Sequence, residues 1–347
     1  MQQHPEMDDI TSIEANFRKQ LAKSLANANG SRRDQMTVLA TACWFEQALR
    51  ASKCSTYYAI ERFFEPDAFG KNKDGDPYHR NKWAKYAVGL HQPSMAVVAK
   101  VDQKIPGASR ILRHPLWEIL RDIDAACQKK DIWLGQLGVD VQSVIADEDA
   151  AIVLSAEKAV GPTSRQLQML ERRAGIDALA CLSLLAAEAM RAGRGEAALQ
   201  IASSLYRVLL IACILHPLDK LRNELFECMR ERVFDRIHHD GFRLGLEYVD
   251  FPEEIYLLLQ VKSALDRSGK KTNCKKSIIK AFVELLDGKY GYDVKFALNP
   301  PHIISDDVGD ISASDREYSD RSIRLREWGL SALRNGRIEK FPPSFLL

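Results

Sequence analysis

The spacing of apolar residues between positions 167 and 212 constrains the fold more than any other feature of this sequence. Apolar residues recur every three or four positions on both sides of a break at Gly193 and Gly195: Leu167, Leu170, Ala174, Ala178, Cys181, Leu185 and Ala189 before it, and Ala198, Ile201, Ala202, Leu205, Val208, Leu209 and Ala212 after it. This is the period of helices buried along one face, and the glycines mark a turn. Because the alanines let two backbones approach closely, the pattern predicts an antiparallel helical hairpin.

Helical periodicity extends over most of the chain. Only residues 139–145 and 151–154 fit a short extended segment, and no βαβ rhythm is present. An apolar fraction of 46% is ordinary for a globular protein and argues against extensive disorder. We therefore predict a mainly α fold.

The length of the chain and a weakly patterned segment near its middle indicate more than one domain. A chain of 347 residues usually forms more than one hydrophobic core. Residues 129–162 are weakly patterned, contain an acidic run at 147–149 and close with a Gly-Pro pair. We predict an N-terminal helical domain over residues 1–128, a connector over 129–162 and a C-terminal α-helical bundle over 163–347. Thr163 is the expected N-cap at the start of the bundle, and Ser314 with Glu317 is a capping-box pattern before its last helix.

The cysteines indicate a reducing compartment. The sequence has seven, an odd number, at wide spacings and without a CxxC pair. Free buried thiols explain this usage better than disulfides or a zinc site. Since no apolar run approaches the roughly 20 residues that cross a bilayer, we expect a cytoplasmic protein without a membrane partner.

The clearest local motif lies between residues 80 and 102. Trp83 is followed by an aromatic residue three positions later, Tyr86, and by Gly89 three positions after that. A proline stands four positions after the glycine, and Ser94 follows it as a helix cap. This order resembles the second half of a helix-turn-helix of the Cro/C1-repressor type, in which the recognition helix ends at such a glycine. Gly89 would let the helix end in a left-handed conformation, and Trp83 and Tyr86 would lock the helix to the core.

The resemblance implies further features of this segment. The family's next helix buries the residues two, five and eight positions after the proline, which are here Met95, Val98 and Val101. The exposed face of the recognition helix would contact phosphates and base edges. The resulting candidate contacts with nucleic acid are Arg80, Asn81, Lys82 and Lys85 on or beside that helix, and Lys71 and Lys73 in the loop before it.

The loop before the predicted recognition helix departs from the family. It spans residues 65–78, where the family has a tight turn of about four residues. Such a loop either reaches a groove as a wing or leaves the module as a packing corner without a nucleic-acid partner. Between residues 71 and 113, nine basic residues minus three acids give a charge of +6, within a chain of net charge +2. This charge is the footprint of a nucleic-acid surface or simply a solvated face.

A second group of residues has the types and spacing of metal ligands. Glu224, Glu227, Glu231, Asp235 and His238 share one face of a helix predicted over residues 221–237, and the last two have the spacing of carboxylate–histidine metal helices. No matching pair occurs elsewhere in the C-terminal block, so a solvated acidic face without a metal is expected.

Two interpretations of function follow. The first is a DNA-binding helical protein with a regulatory role, whose C-terminal block forms oligomers or binds a protein partner. The alternative is a protein–protein interaction subunit of a larger bacterial assembly, for example in phage defence, without catalysis. We expect no cofactor and no enzyme activity. The glycines at 193 and 195 match a dinucleotide-binding pattern only as letters, because they lie between two helices rather than after a strand.

Overall fold

A computed structural model of the chain describes residues 5–28, 34–71, 77–78, 81–146, 162–267, 275–305, 311–337, 339 and 341–346. These residues are mostly helical, which confirms the predicted mainly α fold. Within the described ranges, no helix is both long enough and apolar enough to cross a membrane. The chain forms two compact units: unit 1 comprises Met1–Arg121 and His216–Glu224, and unit 2 comprises Asp122–Leu215 and Leu225–Leu347.

Unit 1 is a set of helices with one small hairpin. Its elements are α1 (Pro5–Ala28), α2 (Gln35–Ser52), α3 (Tyr57–Phe64), β1 (Gly70–Lys71), β2 (Pro77–Tyr78), α4 (Lys82–Ala87), α5 (Met95–Lys104), α6 (Ser109–Leu112) and α7 (Pro115–Arg121). Helix α2 is the centre of the unit, since α1, α3, α4, α6 and α7 all pack against it. Its ten residues with buried side chains include Trp44 and Phe45, both at 0% exposure. A helix buried on nearly all sides is typical of the core of a helical domain.

Asp34 fixes the start of α2. Its carboxylate accepts a hydrogen bond from the Thr37 amide at 2.8 Å. The same carboxylate receives the Arg121 guanidinium from the end of α7, with 2.6 Å between Nε and Oδ2. One side chain therefore caps the central helix and ties it to α7.

Replacing Asp34 by alanine is expected to lower the free energy of unfolding by about 1–2 kcal/mol, because α2 loses its cap and Arg121 loses its ion pair with this carboxylate. Urea unfolding at pH 7 measures the change. Asp34→Asn is the matched control, since asparagine keeps a capping oxygen, and it should lose less. An alanine variant as stable as wild type would contradict the assignment of this cap.

The same variant has an expected pH dependence. Burial acts to raise the pKa of Asp34, but hydrogen bonds from Arg121 and the Thr37 amide outweigh it and hold the pKa below 3.8. A lowered pKa in the folded state gives stability that is present above pH 3.8 and lost as the pH falls through the lower folded value. The difference in unfolding free energy between wild type and Asp34→Ala should therefore be constant above about pH 4 and narrow as the pH falls below it.

Unit 2 contains the longer helices and a three-stranded sheet. Its elements are α8 (Ile123–Gln128), α9 (Lys130–Gly135), α10 (Val139–Ile145), α11 (Ser164–Glu171), α12 (Ile176–Arg191), α13 (Gly195–Ala212), α14 (Arg222–Arg232, whose first residues belong to unit 1), β3 (His238–His239), β4 (Phe242–Leu244), α15 (Phe251–Arg267), α16 (Lys275–Leu286), α17 (Tyr292–Ala297), β5 (His302–Ile304) and α18 (Ala313–Arg334). Helices α12 and α13 pack along their lengths and form the predicted hairpin. The strands are antiparallel in the order β3-β4-β5.

Several local predictions are confirmed. Thr163 caps α11 with a full capping box, in which its hydroxyl accepts from the Gln166 amide at 3.2 Å and the Gln166 side chain accepts from the Thr163 amide at 2.9 Å. The six cysteines that the structure describes are free thiols. Cys274 lies outside the described residues.

Other local predictions are wrong. Residues 139–145 form α10 rather than an extended segment, while residues 151–154 lie outside the described ranges. The last helix is capped by Ser312, whose hydroxyl accepts from the Asp315 amide at 3.1 Å, and not by the residue two positions later. The helix predicted over 221–237 ends at Arg232, because a 3₁₀ turn (Phe234–Arg236) leads directly into strand β3.

Candidate nucleic-acid interface

An aromatic cluster holds the short helix α4 against the core of unit 1. The Trp83 ring stacks on Trp44 at 5.8 Å between centroids and on Phe64 at 5.2 Å. Tyr86 meets Trp83 and Trp44 edge to face at 5.7 and 5.9 Å. Such pairs add to the free energy that burial alone provides. The predicted anchoring role of the two aromatic residues of the motif is therefore confirmed.

Glu65 draws Lys82 away from the exposed surface. The Lys82 ammonium lies 2.6 Å from Glu65 Oε1, and the Trp83 indole N–H donates to Glu65 Oε2 at 3.0 Å. The two charged side chains are only 23% and 8% exposed. Lys82 is therefore half-buried rather than fully exposed, because it neutralises a buried carboxylate, and its contact with nucleic acid stays a prediction. Burial, followed by the charges of Glu65 and Glu61, raises the pKa of the nearby Tyr86 to about 12.

Gly89 ends α4 in the left-handed conformation that the motif predicts. Its φ is +62°, and the Leu90 amide donates to the Lys85 carbonyl at 2.8 Å while the Gly89 amide donates to the Tyr86 carbonyl at 3.0 Å. This pair of bonds is the Schellman ending of a helix. A β-carbon on Gly89 would lie 2.6 Å from the Val38 carbonyl oxygen on α2. The glycine is therefore required both by its backbone angle and by the closeness of α2.

The next helix begins where the motif predicts but buries a different face. Ser94 caps α5, and its hydroxyl accepts from the Val97 amide at 3.4 Å. Val98 and Val101 are buried as predicted. Met95 is 64% exposed, so its predicted burial is wrong, and Val97 takes its place in the core. The buried stripe of α5 therefore consists of Val97, Val98 and Val101, and Met95 lies outside it.

The remaining predicted contact residues divide into two groups. Asn81 is exposed in a left-handed conformation with a φ of 46°, and Lys85 is exposed one turn further along α4. Arg80, Lys73 and the side chain of Lys71 lie outside the described residues. The long loop contains a 3₁₀ turn (Pro66–Ala68) and the antiparallel pair β1–β2, in which Gly70 faces Tyr78. The described residues of this loop therefore have secondary structure of their own.

In this part of unit 1, most of the described basic side chains are exposed, and most of the described acidic side chains are not. Among the described side chains between residues 57 and 113, six basic ones are exposed and form what we call the basic surface: Arg62, Lys85, Lys100, Lys104, Arg110 and Arg113. Of the acids in the same range, Glu61 and Glu65 are buried, and Asp102 is half-buried and accepts from the Ser109 amide at 2.7 Å. Asp67 is the one exposed acid of that described set.

No protein-family model, curated protein or solved structure matches this chain.

Two contacts orient members of the basic surface. The Lys104 ammonium lies 4.2 Å from the centre of the Phe63 ring and donates to the Phe63 carbonyl. The Arg113 guanidinium approaches the Met95 sulfur at 3.3 Å. The first contact places the Lys104 cation beside the end of α3. The second places the cation of Arg113, which follows α6, beside the start of α5. Sequence reasoning counted their charges but did not single them out, because the motif directed attention to α4 alone.

The acidic residues and His238 do not share one helical face as predicted. Asp235 lies in a 3₁₀ turn and His238 in strand β3, so the i, i+3 geometry of a helix is lost. Across the described part of the chain, no three His, Cys, Asp or Glu side chains are grouped as metal ligands. Glu224, Glu227 and Glu231 do lie on α14.

Proposed function

We propose that unit 1 binds double-stranded nucleic acid through the basic surface. The observation that carries this proposal is the sorting of charge: the acids of α3 and of the residue after it are buried, whereas the six bases of the basic surface are exposed. A polyanion gains affinity from such a surface by releasing its condensed counterions. Burial of these acids leaves the exposed described side chains of this stretch predominantly positive.

Position within the unit supports specific roles. Lys85 and Asn81 lie on one side of α4, and asparagine is a residue type that reads adenine edges in the major groove. Lys100 on α5 and Arg113 directly after α6 extend the charge, and their contacts with phosphates would fix the register of the duplex. Regulation of a bound target follows as the broader role, with unit 2 as the oligomerisation or partner-binding part.

Charge reversal at two exposed lysines tests the proposal. In Lys85→Glu/Lys100→Glu, affinity for a fluorescent 30-base-pair duplex should fall by about 10–100-fold at 0.1 M salt, because two phosphate contacts are lost and repulsion replaces them. Fluorescence anisotropy measures the affinity. Lys82 is left unchanged, since a glutamate there would face the buried Glu65 carboxylate and destabilise the unit.

The matched control is Lys19→Glu/Lys23→Glu on α1. Both of its lysines are exposed, and the change in net charge is the same. The control should bind within about twofold of wild type, because a general charge effect beyond about 10 Å is screened by salt. Equal loss in both double variants, or no duplex binding by wild type, would contradict the proposal. The second outcome would favour the alternative, a partner-binding subunit.

A further inference from the structure

A cleft of about 280 Å³ opens in unit 2 beside the last turn of α12. Its walls come from α8, from the end of α12 and from the residues around the end of α14. The apolar part is formed by Ile123, Val233 and Ile237, which are buried, and by Ala187 and Met190, which are half-buried. The interior therefore offers contact to an apolar group.

Cations surround the apolar part. Three arginines and one acid line the cleft: Arg191, Arg232, Arg236 and Asp124. Asp124 is already engaged, since its carboxylate lies 3.1 Å from the Arg236 guanidinium. Nearby Glu188 is also engaged, at 2.7 Å from the Lys130 ammonium. Three positive charges minus one negative charge leave the lining at +2.

Two of these arginines contact the thiols of buried cysteines. Arg191 contacts the Cys127 thiol, and Arg232 contacts the Cys228 thiol. Burial raises the pKa of Cys127 and raises that of Cys228 to about 12. Both thiols therefore stay protonated at neutral pH and act only as weak acceptors. These two contacts therefore orient the guanidinium groups of Arg191 and Arg232 without placing a negative charge beside them.

We propose that this cleft binds a small organic anion, with a phosphate or carboxylate head against the arginines and an apolar body against Ile123, Val233 and Ile237. The planar guanidinium group suits both oxyanions. The volume is near the lower end of the roughly 300–1,000 Å³ that ligand pockets span, so the ligand is small. This proposal concerns unit 2 and does not depend on nucleic-acid binding by unit 1.

Isothermal titration calorimetry with simple probes tests the site. Hexyl phosphate and heptanoate carry the two possible heads on similar chains, and their relative affinities identify which head the arginines prefer. Inorganic phosphate lacks the apolar body, and hexanol lacks the charge. We expect saturable binding of at least one of the amphipathic anions, at least about tenfold tighter than of inorganic phosphate or hexanol.

Three variants locate the binding. Arg191→Gln/Arg236→Gln removes two cations from the lining, and Ala187→Phe fills the apolar part; each should weaken the preferred probe by about tenfold or more. Arg230→Gln is the control, because Arg230 lies on α14 but pairs with Glu227 at 2.8 Å outside the lining. Circular dichroism verifies that each variant is folded. Equal affinity for hexanol or inorganic phosphate, equal loss in the control, or no saturable binding by wild type would overturn the proposal.

Discussion

Replacing Gly89 by alanine is expected to destabilise unit 1 by about 3–5 kcal/mol, as the sum of backbone strain and a steric clash. An alanine at a φ of +62° costs about 1–2 kcal/mol by itself. The added β-carbon would also lie 2.6 Å from the carbonyl oxygen and 2.9 Å from the Cα of Val38, so the backbone of α2 or of the α4–α5 turn must move. Because α2 is the centre of the unit, either movement disturbs the stacking around Trp44.

Gly107→Ala separates the two contributions. Gly107 has a φ of +83°, but a β-carbon there would meet nothing within 4 Å. The control variant should therefore lose only the backbone part, about 1–2 kcal/mol. Urea unfolding followed by tryptophan fluorescence measures both variants. Equal losses at the two positions would show that the closeness of Val38 does not matter, and the proposed reason for this glycine would be wrong.

Loss of Arg326 is the second large effect that we expect. Arg326 is 3% exposed and pairs with Glu254, which is 1% exposed and also accepts from the Tyr206 hydroxyl. The same guanidinium donates to the carbonyls of Ala297 at 2.6 Å and of Asn299 at 3.0 Å. Arg326→Met should destabilise unit 2 by about 3–5 kcal/mol, because it leaves a buried carboxylate without its cation.

A double variant distinguishes a lost ion pair from lost packing. Glu254→Leu/Arg326→Met removes both charges, and it should be more stable than Arg326→Met alone. The double variant will recover only part of the lost stability, because the carbonyl groups of Ala297 and Asn299 no longer accept hydrogen bonds from Arg326. Chemical unfolding of the single and double variants gives the coupling energy. A double variant less stable than the single one by the full cost of a second mutation would contradict a coupled ion pair.

The Arg326→Met variant should also respond to pH. Burial raises the pKa of Glu254, and Arg326 opposes this in the wild type. Without the arginine, the carboxyl should be protonated in the folded state over a wider range. A raised folded pKa gives stability that is present below the ordinary value of 4.5 and lost as the pH rises through the folded value. The free energy of unfolding of Arg326→Met should therefore fall further below that of the wild type as the pH rises from about 4 to 8.

Local patterns in the sequence predicted local structure well. The helical hairpin, the left-handed Gly89 and the anchoring of Trp83 and Tyr86 depend on residues a few positions apart, so spacing alone defines them. Strands β3–β5 were not predicted, because two or three residues are too few to establish an alternating period.

Contacts between distant residues could not be predicted in the same way. Lys82 was assigned to the surface because its partner Glu65 lies 17 positions away, across a loop whose path the sequence does not specify. The Arg326–Glu254 pair joins residues 72 positions apart. The arginines of the cleft come from α12 and from the end of α14, which no motif connects. One general signal was available: acids within an otherwise apolar helical stripe, such as Glu254, indicate buried partners.

Hydrogen–deuterium exchange with and without a 30-base-pair duplex tests the central claim most directly, because it locates the contact. We expect slower exchange on binding in peptides that cover the turn after α4, where Leu90, His91 and Gln92 are exposed, and the start of α5. Peptides of the α12–α13 hairpin serve as the internal reference and should not change. Protection of the α4–α5 region that disappears in Lys85→Glu/Lys100→Glu is the result that the proposal predicts. Duplex binding that protects only unit 2, or leaves the α4–α5 region unchanged, would contradict it.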